Sequence, residues 1–182
     1  MRDRSSGGSD RPEFLSARVL VDSSILFSFI NINCLEQLAV AFGGLAITPQ
    51  IEREIIRPKQ RVLVGDLKRR GLISVIQPTI DESFRAAIFE KRAFGKEVSE
   101  VDREVVALAY CRGMILLFED TPMSKVALDV GINQSKIFNT VRCLKKLIAT
   151  GALNRSKARS HLRAINALRI KYGLRAIPWE ET

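Results

Sequence analysis

Short runs of apolar residues alternate along this chain with longer segments in which apolar side chains recur every three or four positions. Apolar runs of this length, bounded by polar residues, are typical of strands buried on both faces of a parallel sheet. Strands that alternate with helices are joined by right-handed crossovers. The pattern therefore predicts a three-layer α/β/α fold around a central parallel sheet, with strands over residues 17–21, 45–47, 72–76 and 114–118.

Capping signals and glycines predict where the intervening helices begin and end. Ser23 or Ser24 can cap the first helix. Thr48 and Thr121 are predicted to cap two later helices, and each is followed by a proline, which suits the first helical position. Glycines end several of these segments. The first helix is predicted to begin near residue 23, and later helices to span 33–42, 51–56, 60–70, 82–94, 99–111 and the segment from 121 to 131.

After Gly131 the pattern changes to helices alone, over residues 136–150 and 156–172. Their apolar stripes need a partner, which is either the sheet or a second copy of the chain in a homodimer. The first twelve residues contain no apolar residue after the initiator, so they cannot order themselves by burial. We divide the chain into a flexible tail (1–14), an α/β domain (15–133) and a basic helical C-terminal arm (134–182).

Composition restricts the chemistry that the chain can perform. A length of 182 residues suits one domain. The three cysteines are far apart, so neither a disulfide framework nor a zinc site is indicated. With one histidine, His161, a pair of catalytic histidines is excluded, and carboxylates with a metal-bound water become the main candidates. No apolar run is long enough for a membrane span or a secretion signal, so we expect a soluble cytoplasmic protein.

The net charge of +9 is unevenly distributed. Residues 1–129 carry 18 basic and 18 acidic side chains, whereas residues 130–179 carry eleven basic ones and no acid. A basic segment of this kind favours a polyanionic partner such as RNA, although a solvated helical surface is the simpler alternative. The candidate nucleic-acid contacts are Lys136, Arg142, Lys145, Lys146, Arg155, Lys157, Arg159 and Arg163.

Four acidic residues are candidates for a metal-dependent active site. Asp22 and Asp120 each follow an apolar strand and precede a helix, and ligands of open α/β sheets bind at the carboxyl ends of the strands. Oxygen ligands suit Mg²⁺ or Mn²⁺, which can activate water against a phosphodiester. Asp102 competes with a second interpretation, because Ser99 to Asp102 resembles a capping box. Helical geometry alone does not choose between Glu52 and Glu54.

The acidic positions and their flanking residues, taken in order, resemble the PIN domain family over residues 17–133. The similarity rests on residues 19–24 (VLVDSS), 48–55 (TPQIEREI), 99–109 (SEVDREVVALA) and 115–120 (ILLFED). The resemblance favours Glu54 over Glu52, because the family's glutamate lies three residues after one apolar residue and directly before another. The family often has a threonine at the position of Phe118, and its members do not all share Glu119 or so long a C-terminal arm.

The resemblance implies a divalent-metal-dependent endoribonuclease with a PIN-like fold. Asp22, Asp102 and Asp120 would be the metal ligands, and Glu54 either a further ligand or the holder of an ordered water. Many small bacterial and archaeal members are toxins of toxin–antitoxin pairs, so the resemblance also implies an antitoxin as a protein partner. The alternative is a catalytically silent protein of the same fold that binds RNA or serves as a scaffold. A receiver domain and an aspartate-nucleophile phosphatase are disfavoured, because Asp22 is followed by two serines.

Overall fold

The structure, a computed structural model, describes residues 18–89, 91–93 and 96–179. The predicted flexible tail, residues 1–14, lies outside the described residues. The strands are β1 (Val19–Val21), β2 (Leu45–Ile47), β3 (Ile73–Val75), β4 (Arg92–Ala93), β5 (Lys96–Glu97), β6 (Ile115–Leu117) and β7 (Ile137–Phe138).

Five of these strands form one parallel sheet in the order β3-β2-β1-β6-β7. In the centre of this sheet, Val21 of β1 pairs with Leu117 of β6. All residues of β1 and β2 are buried, as expected for strands covered on both faces. The predicted three-layer α/β/α fold around a parallel sheet is confirmed.

Helices connect the strands and cover the sheet. The helices form two groups. In the first, α6 packs on both α5 and α7; in the second, α1 packs on α2, α2 on α8, and α8 on α9. The helices are α1 (Ser23–Asn31), α2 (Leu35–Phe42), α3 (Pro49–Glu54), α4 (Pro58–Arg69), α5 (Ile80–Ile88), α6 (Glu100–Arg112), α7 (Thr121–Asp129), α8 (Thr140–Ala149) and α9 (Arg155–Lys171).

Helix α5 ends earlier than the sequence pattern predicts, and a short hairpin follows it. The predicted helix over 82–94 is wrong beyond Ile88, because β4 and β5 pair antiparallel after it. The buried side chain of Arg103 donates through Nη1 to the carbonyls of Ala86 and Ala87, at 2.9 and 3.4 Å. A cation at this position stabilises the final carbonyl groups of α5, where the helix dipole is negative.

The prediction that only helices follow Gly131 is also wrong. Ile137 and Phe138 form the strand β7, which pairs with β6 at the edge of the main sheet. Helix α8 consequently begins at Thr140 rather than at 136. A strand of two residues is too short to produce a recognisable apolar periodicity.

The apolar stripes of α8 and α9 are buried within this same chain. Val141, Leu144 and Leu147 of α8 and Leu162 and Ile165 of α9 belong to the hydrophobic core that includes the sheet. No second copy of the chain is needed to cover these residues. In the part of the chain that the structure describes, no helix is both long and apolar enough to cross a membrane.

Candidate functional site

Asp22 lies at the carboxyl end of the central strand β1. Its backbone N–H donates to the carbonyl of Leu117 in β6 at 2.9 Å, which continues the pairing of the two strands. Its side chain is the N-cap of α1, because Oδ2 accepts from the backbone N–H of Ser24 at 3.1 Å and from its hydroxyl at 2.7 Å. The prediction that Ser23 or Ser24 caps this helix is therefore wrong. These bonds fix the orientation of the Asp22 carboxylate.

Glu54 is the last residue of α3, the helix that follows β2. The helix begins at Thr48, whose hydroxyl accepts from the N–H of Ile51, so the predicted threonine cap is confirmed. Interaction with the Ser23 side chain lowers the pKa of Glu54 and the charge of Asp22 raises it, so the Glu54 carboxylate lies near both residues. Glu52, by contrast, forms a salt bridge with Lys68. The geometry thus directs Glu54, and not Glu52, toward the end of β1.

Asp102 lies in the first turn of α6, and both interpretations of it are compatible with the structure. The capping box is present: the N–H of Asp102 donates to Ser99 Oγ at 3.1 Å, and the N–H of Ser99 donates to Asp102 Oδ2 at 3.3 Å. The charge of Asp102 also acts on Asp22 and Glu54. Capping therefore holds Asp102 in place beside the other two carboxylates.

Two of the three carboxylates, Asp22 and Glu54, have a raised pKa. Burial raises the pKa of Asp22 most strongly, hydrogen bonds from Ser24 lower it, and the charge of Asp102 raises it further. The pKa of Glu54 is also raised, first by burial and then by the charges of Asp22 and Asp102. Asp22 is only 6% exposed, so water screens this repulsion poorly. The cluster is an unfavourable concentration of negative charge that a cation would relieve.

Asp120 lies at the same edge of the sheet but in a neighbouring position. The register of β1 and β6 aligns Asp22 with Phe118, so Asp120 is two residues further along. Its Oδ2 accepts from the N–H of Met123 at 3.2 Å, which makes Asp120 the N-cap of α7. The prediction that Thr121 provides this cap is wrong. Asp120 is exposed and does not appear among the charges that raise the pKa of Asp22 or Glu54.

Glu119 has a structural role next to Asp120. Its Oε2 accepts from the backbone N–H of Thr140 at 2.8 Å, the first residue of α8. A carboxylate at the start of a helix is stabilised by the free N–H groups and by the helix dipole. Glu119 therefore joins the end of β6 to α8.

The carboxylate cluster suits a hard divalent cation. Its donors are all oxygen, and among the described residues none of Asp22, Glu54 and Asp102 forms a salt bridge that would balance its charge. Within the same described ranges, no three acidic, histidine or cysteine side chains are grouped closely enough to hold an ion as they stand. The residues fit an Mg²⁺ or Mn²⁺ ion in chemistry, and coordination requires these side chains to move toward one another.

The basic candidates occupy several different environments. Lys136 donates to the carbonyl of Gly113 at 2.9 Å. Arg142 donates to the carbonyls of Gln134 and Ile137 and lies 4.4 Å from the ring centroid of Phe138. Three others occur at every fourth position of α9 and line one groove together with Trp179; these are Arg155, Arg159 and Arg163.

Ser23 and Ser24, which the sequence suggested only as helix caps, both contribute to the site. The Ser24 hydroxyl donates to the Asp22 carboxylate, and the Ser23 side chain lowers the pKa of Glu54. Consecutive serines directly after a strand-end aspartate were the available signal, since a short hydroxyl side chain can bond a neighbouring carboxylate as readily as a helix terminus.

A family model described as a PIN domain matches residues 18–173, which is most of the chain and includes all four candidate acids as well as β7, α8 and α9. A search of curated proteins finds no match to this chain.

Proposed function

Because the chain belongs to the PIN domain family, whose fold is of the nuclease type, we propose that it is a divalent-metal-dependent endoribonuclease that hydrolyses RNA phosphodiesters. The observation that carries this proposal is the convergence of Asp22, Glu54 and Asp102 at the carboxyl end of β1, with Asp120 at the end of the adjacent strand. Burial and neighbouring negative charge raise the pKa of both Asp22 and Glu54, which is costly, so a site that uses these carboxylates is a better explanation than chance.

In this proposal Asp22, Asp102 and Asp120 hold an Mg²⁺ or Mn²⁺ ion, and Glu54 is a further ligand or orients a water. When bound, the ion supplies Lewis-acid chemistry for the attack of water on a phosphodiester. The protein contributes rigid positioning. Ser24 fixes the Asp22 carboxylate, and capping interactions fix Asp102 and Asp120 at the starts of their helices.

RNA is the proposed substrate, and the basic C-terminal segment is proposed to bind its backbone. Arg155, Arg159 and Arg163 follow one face of α9 beside Trp179, which is half-buried. Cations in a row next to an aromatic ring suit a single strand, whose phosphates and bases they can contact together. Lys136 and Arg142, which bond backbone carbonyls of the chain, are further candidates for this role.

A toxin role, with an antitoxin as inhibitory partner, is a further proposal that rests on the family resemblance. A cytoplasmic location is a proposal that rests on the apolar pattern of the sequence. A catalytically silent RNA-binding protein is the second candidate function. It is favoured by the finding that, in the described part of the chain, no three potential ligands are already close enough to hold an ion.

One cleavage assay separates these functions. Purified protein is incubated with a mixture of labelled RNAs and Mg²⁺ or Mn²⁺, with and without EDTA, beside Asp22→Asn and the control Asp129→Asn. Asp129 is an exposed acid at the far end of α7. We expect cleavage that EDTA and Asp22→Asn abolish and that Asp129→Asn preserves. Cleavage that survives chelation or Asp22→Asn contradicts the carboxylate mechanism, and RNA binding without cleavage supports the silent alternative.

A further inference from the structure

A groove of about 590 Å³ adjoins Asp120. It is separate from the groove of about 710 Å³ beside Trp179, and both are lined by basic side chains. The groove beside Asp120 is lined by Glu119, Asp120 and the start of α7. It is also lined by Lys96 of β5 and by Arg169 and Arg175. The groove therefore runs directly from a proposed metal ligand to a set of cations.

The three cations come from separate parts of the chain. Lys96 belongs to the hairpin after α5, Arg169 to the last turn of α9, and Arg175 to the segment that follows Gly173. Arg169 Nε donates to the backbone carbonyl of Arg175 at 2.9 Å, so it holds this segment across the groove. Contributions from distant segments to one small groove are typical of a binding site and do not arise from helical periodicity.

The cations of this groove are not neutralised by the acids around them. Among the described residues, none of Lys96, Arg169 and Arg175 has a carboxylate within salt-bridge distance, although Glu119 and Asp120 line the same groove. Glu119 is instead hydrogen-bonded to the start of α8, and Asp120 to the start of α7. The groove thus offers an external anion positive charge that no described carboxylate pairs with.

We propose that Lys96 and Arg175 form a subsite for a phosphate of the RNA strand that flanks the phosphodiester at the carboxylate cluster, with Arg169 as the residue that positions Arg175. The proposal rests on the proposed nuclease function for the identity of the ligand. A cationic subsite next to the proposed metal site holds the strand where the acidic cluster alone would repel it. It also requires the substrate to extend beyond the bond that is cut.

Binding in the absence of cleavage tests the subsite directly. The affinity of a fluorescent single-stranded RNA is measured against salt concentration, with EDTA throughout, for the wild-type chain and for Lys96→Gln/Arg175→Gln. The control is Lys59→Gln/Arg85→Gln, which removes the same charges from exposed positions on α4 and α5. We expect the magnitude of the slope of log affinity against log salt to fall by about 0.7 in the groove variant, because one phosphate contact with a single strand is lost. The control slope should stay unchanged.

Cleavage kinetics locate the phosphate that the subsite holds. The groove variant should raise KM about tenfold with little change in kcat, since each exposed ion pair contributes several-fold at most. Replacing one flanking phosphate by an uncharged methylphosphonate should weaken binding by the wild-type chain, and the groove variant should not respond to that replacement. If each methylphosphonate replacement changes the RNA affinity of the wild-type chain and of the groove variant equally, the subsite is wrong.

The two proposals fail in distinguishable ways. If the wild-type chain cuts RNA but the groove variant keeps its slope and KM, the subsite is wrong and the nuclease function stands. If no RNA is cut but the slope falls as expected, the nuclease function is wrong and the subsite stands. A groove variant that loses binding of polyglutamate but not of RNA assigns the groove to an acidic protein partner and overturns the RNA subsite.

Discussion

Substitution of Glu82 by glutamine should weaken the junction between α5 and α6. Glu82 completes the capping box of α5, since its Oε2 accepts from the N–H of Thr79 at 2.7 Å. It also receives two hydrogen bonds from Arg112 in the last turn of α6, from Nε at 2.7 Å and Nη2 at 2.8 Å. The same Nη2 donates to the carbonyl of Gln77 at 2.8 Å. One buried carboxylate thus connects three segments, including the helix that carries Asp102.

The magnitude follows from the pKa of Glu82. Hydrogen bonds from Arg112, opposed by burial, lower this pKa from 4.5 to about 2. At about 1.4 kcal/mol for each tenfold change, that fall corresponds to roughly 3 kcal/mol of folding stability. The Arg112 side chain is 35% exposed, so water screens the pair, and we expect Glu82→Gln to lower the free energy of unfolding by about 2 kcal/mol at neutral pH.

The pH dependence gives the prediction its sign. A carboxylate whose pKa is lower in the folded state stabilises the fold above its ordinary pKa of 4.5, and this contribution disappears as the pH falls toward about 2. The difference between the wild-type chain and Glu82→Gln should therefore shrink across that interval.

Urea unfolding followed by circular dichroism at several pH values measures this difference. The control is Asp66→Asn, which removes an exposed carboxylate paired with Arg69 and Arg70, and should cost less than about 1 kcal/mol. A difference for Glu82→Gln that is independent of pH, or no larger than that of Asp66→Asn, would refute the role assigned to the pair with Arg112.

Three further predictions concern other parts of the chain. Gly65→Ala should raise the free energy of unfolding by about 0.5–1 kcal/mol, because Gly65 lies inside α4 with room for a Cβ. Gly44→Ala should lower the free energy of unfolding by about 1 kcal/mol or more, because Gly44 has φ +110°. Thermal unfolding checks both signs. The pKa of His161 should lie below 6.5 because of burial and the charge of Lys157, and Lys157→Gln should raise it in an NMR titration. Arg142→Gln should lower the free energy of unfolding by about 1–2 kcal/mol, measured in urea, because its guanidinium binds carbonyls beside β7.

The sequence predicts the main sheet well because its central strands are short, apolar and separated by strong helix signals. Leu45–Ile47 is the clearest case, where the observed strand has the predicted bounds. The placement of Asp22 at the end of β1 follows from the same pattern. Where burial on both faces determines the structure, the apolar pattern is sufficient.

Helix caps are less predictable because several neighbouring residues can serve. Asp22 is followed by Ser23 and Ser24, and aspartate and serine are both good caps. Which residue caps is decided by where the strand ends, and the N–H of Asp22 still pairs with Leu117. The same applies to Asp120, which caps α7 although Thr121 was expected to do so.

Features that depend on contacts between distant segments could not be predicted from local pattern. The strand β7 exists because Ile137 and Phe138 meet β6, and the position of Arg142 over Phe138 stabilises it. The groove beside Asp120 depends on Arg169 bringing Arg175 to Lys96. In the sequence, Lys96, Arg169 and Arg175 are each indistinguishable from an ordinary solvated cation, and only the fold brings the three together.

The central claim is that four particular carboxylates, and not their neighbours, support cleavage. It is tested by the single-turnover rate of RNA cleavage in saturating Mg²⁺ for Asp22→Asn, Glu54→Gln, Asp102→Asn and Asp120→Asn. Glu52→Gln and Asp129→Asn are the controls, because these acids are on the same helices as Glu54 and Asp120 but pair with Lys68 and Lys125.

We predict that each of the four variants loses at least about a hundredfold in rate, as expected when a charged ligand is removed from a metal site, and that both controls stay near the wild-type rate. Circular dichroism should show that the variants remain folded. A folded variant of any of the four that keeps the wild-type rate, or a loss in Glu52→Gln equal to that in Glu54→Gln, would contradict the assignment of the site.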